Sequence, residues 1–184
     1  MDPLLIPLTA GFEEIEFSAP VDILRRLDIP VVTAGIEGRQ VEGAHGIVIT
    51  ADMLLVDADP VLYSGIVLPG GAASWKLRDM PAVLKLVREM NAAGKLVAAI
   101  CAAPLVLQAA GVLRGRHITA YPAEDVLKDL TDAGEVTSRP AMRDGNIITG
   151  RGPGASFDFA FALAEYMGVE PMQIEAMKEA MVIS

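Results

Sequence analysis

The chain has 184 residues, 52% of them hydrophobic and 21% charged, with mean hydropathy +0.41 and a formal net charge of −9. That length predicts one domain, residues 1–184, with a substantial core, and the apolar content excludes a disordered chain. The acidic balance, with no lysine- and arginine-rich block, excludes a nucleic-acid surface; a single cysteine excludes an internal disulfide or a zinc thiolate cluster and points to a reducing, cytoplasmic compartment.

In chain order, Met1 to Leu8 carries an acid where a signal peptide has its basic region, and residues 3–9 read as a first strand ending at Gly11. Glu13 to Leu27 reads as a helix with acids in its first turn, and Pro20 inside it predicts a kink or offset. Ile29 to Ala34 is a second strand closed by Gly35. The stretch Gln40 to Thr50, with Gly43 and Gly46, suggests strands or a hairpin that place His45 near an exposed turn. Ile66 to Leu68 is a buried strand ended by Pro69-Gly70-Gly71, and Pro81 to Ala93 is a helix with proline in its first turn.

Leu96 to Leu113 contains no charge, but it is rich in alanine and interrupted by Pro104, so it divides into strand 96–100 and helix 103–110 instead of crossing a membrane. A short strand at His117 to Ala120 and a surface helix from Ala123 to Asp132 follow. Strands at Val136 to Met142 and Asn146 to Thr149 are joined by the turn Arg143-Asp144-Gly145. Gly152-Pro153-Gly154 then precedes a helix from Ser156 to about Met167, and Met172 to Met181 is the last helix. Alternating strands and helices predict an α/β fold with a largely parallel sheet, covered on both faces.

Ligands of such sheets bind beyond the carboxyl ends of the strands. Three features fall there: Glu13-Glu14-Ile15-Glu16 after the first strand, Gly70-Gly71 after the Ile66–Leu68 strand, and Cys101 between strand and helix. A thiol at a helix start can be lowered in pKa and exposed as a nucleophile, although a free cysteine is also a common small core residue. Backbone N–H groups of Gly71 and Ala102 are placed to face an oxyanion, and one of the three glutamates is placed to move protons. His45 and His117 stand alone, without a partner at helical spacing, so no metal site is expected.

Glu13-Glu14-Ile15-Glu16, Val67-Leu68-Pro69-Gly70-Gly71, Ala98-Ala99-Ile100-Cys101-Ala102-Ala103-Pro104 and Arg151-Gly152-Pro153-Gly154-Ala155-Ser156-Phe157 occur together, in this order, across essentially the whole chain. As a set they resemble the ThiJ/PfpI superfamily, in the branch of the parkinsonism-associated protein deglycase and the YajL-type proteins. The resemblance implies a flavodoxin-like sandwich of the class I glutamine amidotransferase type, and usually a homodimer. It implies Cys101 as a nucleophile-elbow cysteine, Glu16 as its active-site carboxyl, and Gly70, Gly71 and Ala102 on the oxyanion side. In that branch the cysteine readily becomes a sulfinate held by the protonated glutamate.

The resemblance further implies cofactor-independent conversion of methylglyoxal to lactate, or removal of early glycation adducts from proteins, with no metal. Partners are then a small carbonyl compound or a glycated protein, with neither nucleic acid nor membrane. His45 matches a basic position near the neighbouring subunit's site, and Arg151 a family arginine near the dimer interface. Two positions depart from the pattern. Tyr121 stands where some members carry a histidine before the proline, here Pro122; a phenol is a poor base at neutral pH. Ala102 stands where the amidase and protease branch carries histidine, which argues against a Cys–His hydrolase. The competing expectation is a redox-responsive stress protein whose Cys101 records oxidation with little turnover.

Overall fold

The computed structural model describes residues 1–183. The chain runs β1 (Leu4–Leu8), α1 (Glu14–Arg26), β2 (Val31–Gly35), β3 (Gln40–Glu42), β4 (Val48–Thr50), β5 (Met53–Leu54), β6 (Gly65–Leu68), α2 (Ala73–Leu77) and α3 (Pro81–Ala92). It continues through β7 (Leu96–Ile100), α4 (Pro104–Ala109), β8 (His117–Thr119), α5 (Glu124–Leu127), β9 (Glu135–Thr137), β10 (Ala141–Asp144), β11 (Ile147–Gly150), α6 (Ser156–Tyr166) and α7 (Pro171–Ala180). Seven strands form the central sheet in the order β10-β11-β7-β6-β1-β2-β5. Only the β10–β11 pair is antiparallel, as the tight turn at Gly145 requires. The expected α/β class and mostly parallel sheet are what the chain forms.

Every residue of β1, β6 and β7 is buried. Helices α1 and α6 pack on one another over one face, while α2, α3 and α4 cover the other. Two-sided burial explains why these strands read as unbroken apolar runs and not as alternating ones. From β1 the chain moves outward to β2 and β5, then returns to the other side of β1 with β6, β7 and β11. The order therefore reverses between β1 and β6, and a crevice opens there at the carboxyl ends of the strands.

Four local expectations change. The helix from Ala123 to Asp132 closes after Leu127: the N–H groups of Asp129 and Leu130 bond three residues back, to Val126 and Leu127, and Asp132 is instead bonded to Gln108 and Gly115. The strand from Val136 to Met142 divides around Pro140, which has no N–H for a ladder. Its first part becomes β9, paired parallel with β8 in a sheet of their own, and its second part is β10. Elements β5 and α2 were too short for periodicity to reveal. Helix α1 continues past Pro20 without a break in its assignment, so the proline's effect is confined to the missing bond to the carbonyl four residues earlier, that of Glu16.

The core reaches the site through Phe159, fully buried on α6 and packed against Gly150 so closely that a Cβ there would lie 3.0 Å from its ring. Phe159→Ala leaves a cavity beneath β11 and is expected to cost about 3–5 kcal/mol. Urea unfolding measures this as a lowered midpoint at unchanged slope.

Candidate active site

Cys101 follows β7 directly and has φ +66°, a left-handed conformation uncommon for any residue but glycine. Its own peptide groups fix that turn. The Cys101 N–H donates to the Gly150 carbonyl at 2.9 Å, and its carbonyl accepts the Tyr121 N–H at 2.9 Å. The strained turn lifts the side chain out of the strand direction and into the crevice, leaving the residue 8% exposed.

Glu16 enters from the first turn of α1 and is 1% exposed. Glu13 caps that helix: its carboxylate accepts the Glu16 N–H at 2.8 Å. The Oε2 of Glu16 accepts the Gly70 N–H at 2.9 Å, Oε1 has no hydrogen-bond partner, and the carboxyl as a whole is in hydrogen-bond contact with the Cys101 thiol. Gly70 must be glycine on space alone, because a Cβ there would sit 2.4 Å from Glu16 Oε2 and 2.6 Å from the Cys101 Cβ. Gly71 needs both freedom and space, with φ +83° and a would-be Cβ 2.5 Å from the Gly11 carbonyl oxygen. Cys101, Glu16, Gly70, Gly71 and Ala102 thus come together from the ends of β1, β6 and β7.

The carboxyl and thiol determine one another's charge. Burial raises the Glu16 pKa from 4.5 to about 7, aided by the negative charge of Glu13 and opposed by the hydrogen bonds with Cys101 and Gly70. Burial also pushes the Cys101 thiol up, as do the charge and hydrogen bond of Glu16, while the N–H groups of Gly71 and Ala102 pull it down. The helix start does not give the low thiol pKa expected from position. Helix α4 begins three residues later and spans only Pro104–Ala109, so its start does not offset burial and the Glu16 charge. Two buried anions side by side are excluded, and the pair titrates as one unit.

The other expected residues stand further out. His45, with a side chain 72% exposed, donates its backbone N–H to Glu14 Oε1 at 2.6 Å and shares its Nδ1 with Glu14 Oε2 at 2.8 Å. Against desolvation, these bonds hold Glu14 below the usual carboxylate range, and the same contact raises the imidazole pKa. His45 is therefore tied to Glu14 and not to the thiol. Glu13, Glu14 and His45 place potential ligand atoms within 4.8 Å of one another, but the carboxylate–imidazole bond already accounts for that cluster. Tyr121 touches Cys101 through its backbone, and its half-exposed ring lies against Gly152. The capping role of Glu13 was missed in the sequence, though its spacing three residues before Glu16 is the signal that announces it. No described helix is long and apolar enough to cross a membrane.

A sequence model of the DJ-1/PfpI family matches residues 3–166. The chain belongs to the DJ-1/PfpI family. It is 38% identical over 173 residues to the zebrafish (Danio rerio) Parkinson disease protein 7 homolog, covering 90% of each chain. It is 33% identical over 152 residues to a protein of Pyrococcus abyssi named a deglycase, covering 82% of this chain and 90% of the other. The crystal structure of DJ-1beta from Drosophila melanogaster superposes with a TM-score of 0.92 at 33% identity, covering all of both chains. Family membership agrees with the fold and with the expected resemblance.

The raised carboxyl of Glu16 makes stability depend on pH. The folded chain keeps a proton at Glu16 that the unfolded chain releases near pH 4.5, so this group's contribution to stability is fully present below that pH and is lost as pH rises toward about 7. The shift corresponds to a loss of roughly 3 kcal/mol across that window. Glu16→Gln removes the charge that must be buried. In chemical denaturation at pH 8 the variant is expected to be more stable than the parent by about that amount, with the gap closing near pH 4.5.

Proposed function

We propose that the protein is a cysteine-dependent, cofactor-independent enzyme acting on methylglyoxal-like carbonyls or on their adducts with proteins, a glyoxalase and deglycase chemistry. The observation that carries this reading is the buried carboxyl of Glu16, held by the Gly70 N–H and in hydrogen-bond contact with the Cys101 thiol. A carboxyl with a pKa of about 7 is suited to both taking and returning a proton at neutral pH. Deglycase-named archaeal relatives support the same substrate class.

With methylglyoxal, Glu16 takes the thiol proton as sulfur bonds the aldehyde carbon, and returns it to the resulting alkoxide. That oxygen lies by the N–H groups of Gly71 and Ala102 while it is charged. Glu16 then removes the hydrogen of the former aldehyde carbon and delivers a proton to the adjacent ketone carbon, while the hydroxyl proton of the former aldehyde carbon passes to the ketone oxygen. One carbon is oxidised and its neighbour reduced, which leaves a lactoyl thioester. Water cleaves the thioester to lactate and regenerates the thiol, so no external oxidant or reductant is consumed. The working form in this reading is a cytoplasmic homodimer. Exposed Ile15, Ile47 and Val48, on the two segments joined by the His45–Glu14 bond, supply an apolar patch beside the site.

Cys101→Ser and Glu16→Gln are each expected to lower kcat/KM for methylglyoxal at least about 10²-fold. The double variant should be little worse than Cys101→Ser, because the two groups act as a unit. Lactate release measured by coupled assay checks this, and equal rates in parent and Cys101→Ser end the proposal.

One feature favours a second reading. An unpartnered Glu16 oxygen next to a thiol faced by two N–H donors is also a receptor for an oxidised sulfur. Two equivalents of hydrogen peroxide would carry the thiolate to sulfinate with release of two waters, and protonated Glu16 would bond a sulfinate oxygen. Mild peroxide should therefore add two oxygens to Cys101 before the exposed Met172 is oxidised, as peptide mass spectrometry would show. Glu16→Gln, lacking the ionisable partner, should stop at a mixture of lower oxidation states.

A further inference from the structure

Glu13, Gly70 and Glu16 close a ring of hydrogen bonds at the entry of α1. The Glu13 N–H donates to the Gly70 carbonyl at 3.1 Å, the Gly70 N–H donates to Glu16 Oε2 at 2.9 Å, and the Glu16 N–H donates to Glu13 Oε2 at 2.8 Å. Glu13 therefore holds both partners of the Glu16–Gly70 bond, one with its backbone and the other with its side chain. Gly71 leaves room for this closure, since a Cβ on it would lie 2.7 Å from the Glu13 nitrogen. All members of the ring are buried, and every bond in it is made within one chain.

A cap alone does not call for this side chain. A helix start is satisfied by serine, threonine or asparagine without any charge. Here a buried carboxylate stands beside a second buried carboxyl, a juxtaposition that a neutral cap would avoid. The positive end of the α1 dipole makes the charge tolerable, but tolerance does not explain why a charge is present. What the charge adds is a field on one group. Glu13 opposes ionisation of Glu16, whereas the Cys101 thiol is shifted by burial, Glu16, Gly71 and Ala102. The surrounding charges leave that field in place. Glu14 is taken by His45 at 2.8 Å, the same imidazole stands off from Glu13 Oε1 at 4.0 Å, and Lys76 of α2 is bonded to the Ala10 carbonyl. Gly70 and Gly71 bring no charged side chain.

We propose that Glu13 is a positioning residue of the site: its hydrogen-bond ring aims the Glu16 carboxyl, and its negative charge disposes that carboxyl to hold the proton when the thiol gives it up. The singly ionised pair has two forms, carboxylate beside thiol and thiolate beside carboxylic acid. Negative charge on Glu13 penalises the first more than the second, because Glu13 is bonded to Glu16 and is not among the groups that shift the thiol. It thereby enlarges the reactive fraction and raises the pH at which the pair loses its first proton. Glu13 acts only through Glu16 and takes no part in the chemistry itself. This inference rests on the reading of Cys101 and Glu16 as the reacting pair.

The test is the rate of Cys101 alkylation by iodoacetamide as a function of pH, which reads the thiolate without any turnover. Glu13→Gln keeps an oxygen for the Glu16 N–H and removes the charge. Its alkylation is expected to reach half its plateau about one pH unit below the parent's, at a plateau about tenfold lower, while the two rates coincide on the acid limb. Glu13→Asp keeps both charge and cap and should return the profile to the parent's. Glu13→Ala, which also breaks the ring, should lower kcat for methylglyoxal about tenfold below that of Glu13→Gln, with KM little changed. A Glu13→Gln profile that overlays the parent's overturns the proposal, and so does a plateau that falls while the midpoint stays, the mark of a structural role alone. Equal kcat in Glu13→Ala and Glu13→Gln overturns it as well. If the parent does not turn over methylglyoxal, the catalytic reading has failed, and the alkylation profile decides by itself: a shifted midpoint supports the role of Glu13 and an overlay overturns it. Should Glu13→Ala fail to fold, Glu13→Gln and Glu13→Asp carry the comparison.

Discussion

A carboxyl group buried to 1% exposure between a backbone N–H and a thiol is the constraint on which the rest of this site depends. Burial makes its charge costly, and the cost is kept bearable by the hydrogen bonds with the Cys101 thiol and the Gly70 N–H and by the option of holding a proton. The thiol supplies a second place for that proton. Because the Glu16 charge and burial act in the same direction on Cys101, removing charge from one member makes the other more acidic. The pair is therefore a proton-sharing unit whose reactive form, thiolate beside carboxylic acid, is the one the Gly71 and Ala102 N–H groups favour.

Holding those atoms in place is the work of loops that bond to one another more than to the sheet. The Glu13 N–H donates to Gly70, Phe12 and Gly71 form an isolated bridge, and the Ala73 N–H donates to Gly11. The β3–β4 connection joins the same lattice, with the Gly11 N–H on Glu42, the Ala44 N–H on Phe12, and His45 on Glu14. The switch between β1 and β6 creates the crevice, and this lattice sets the distance across it. The lone histidine of the hairpin thus has a structural task at the entry of α1, whatever else approaches it.

Much of this was legible in the residues. Uncharged runs at Leu4–Leu8, Ile66–Leu68 and Leu96–Ile100 could belong only to strands covered on both faces, and Pro104 divided strand from helix. Gly70-Gly71 marked the site because a close approach and a positive φ leave visible glycines. What the sequence left open was which acid of Glu13-Glu14-Ile15-Glu16 turns inward. Helical geometry splits them: Glu13 caps, Glu14 meets the hairpin, and Glu16 meets the thiol. Their order follows from where α1 begins, and a shift of one residue would reassign all three. The direction of the thiol shift was also hidden, because position suggested a helix dipole while burial first, and then a neighbour 85 residues away in the chain, set it.

Pro20 shows how the helix itself is fitted to this load. A proline in a helix has no N–H for the carbonyl four residues earlier, and here that carbonyl is Glu16's own. The backbone at Glu16 is thus released from one of its helical bonds in the turn where its side chain must reach across to Gly70. The compensating grip comes from the other end, where Glu13 accepts the Glu16 N–H. Fastened at its amide by the cap and at its carboxyl by Gly70, Glu16 is positioned by bonds outside the helix ladder. A proline at this place in α1 is therefore tolerable, where the same residue deeper in α6 would cost about 3 kcal/mol with nothing to offset it.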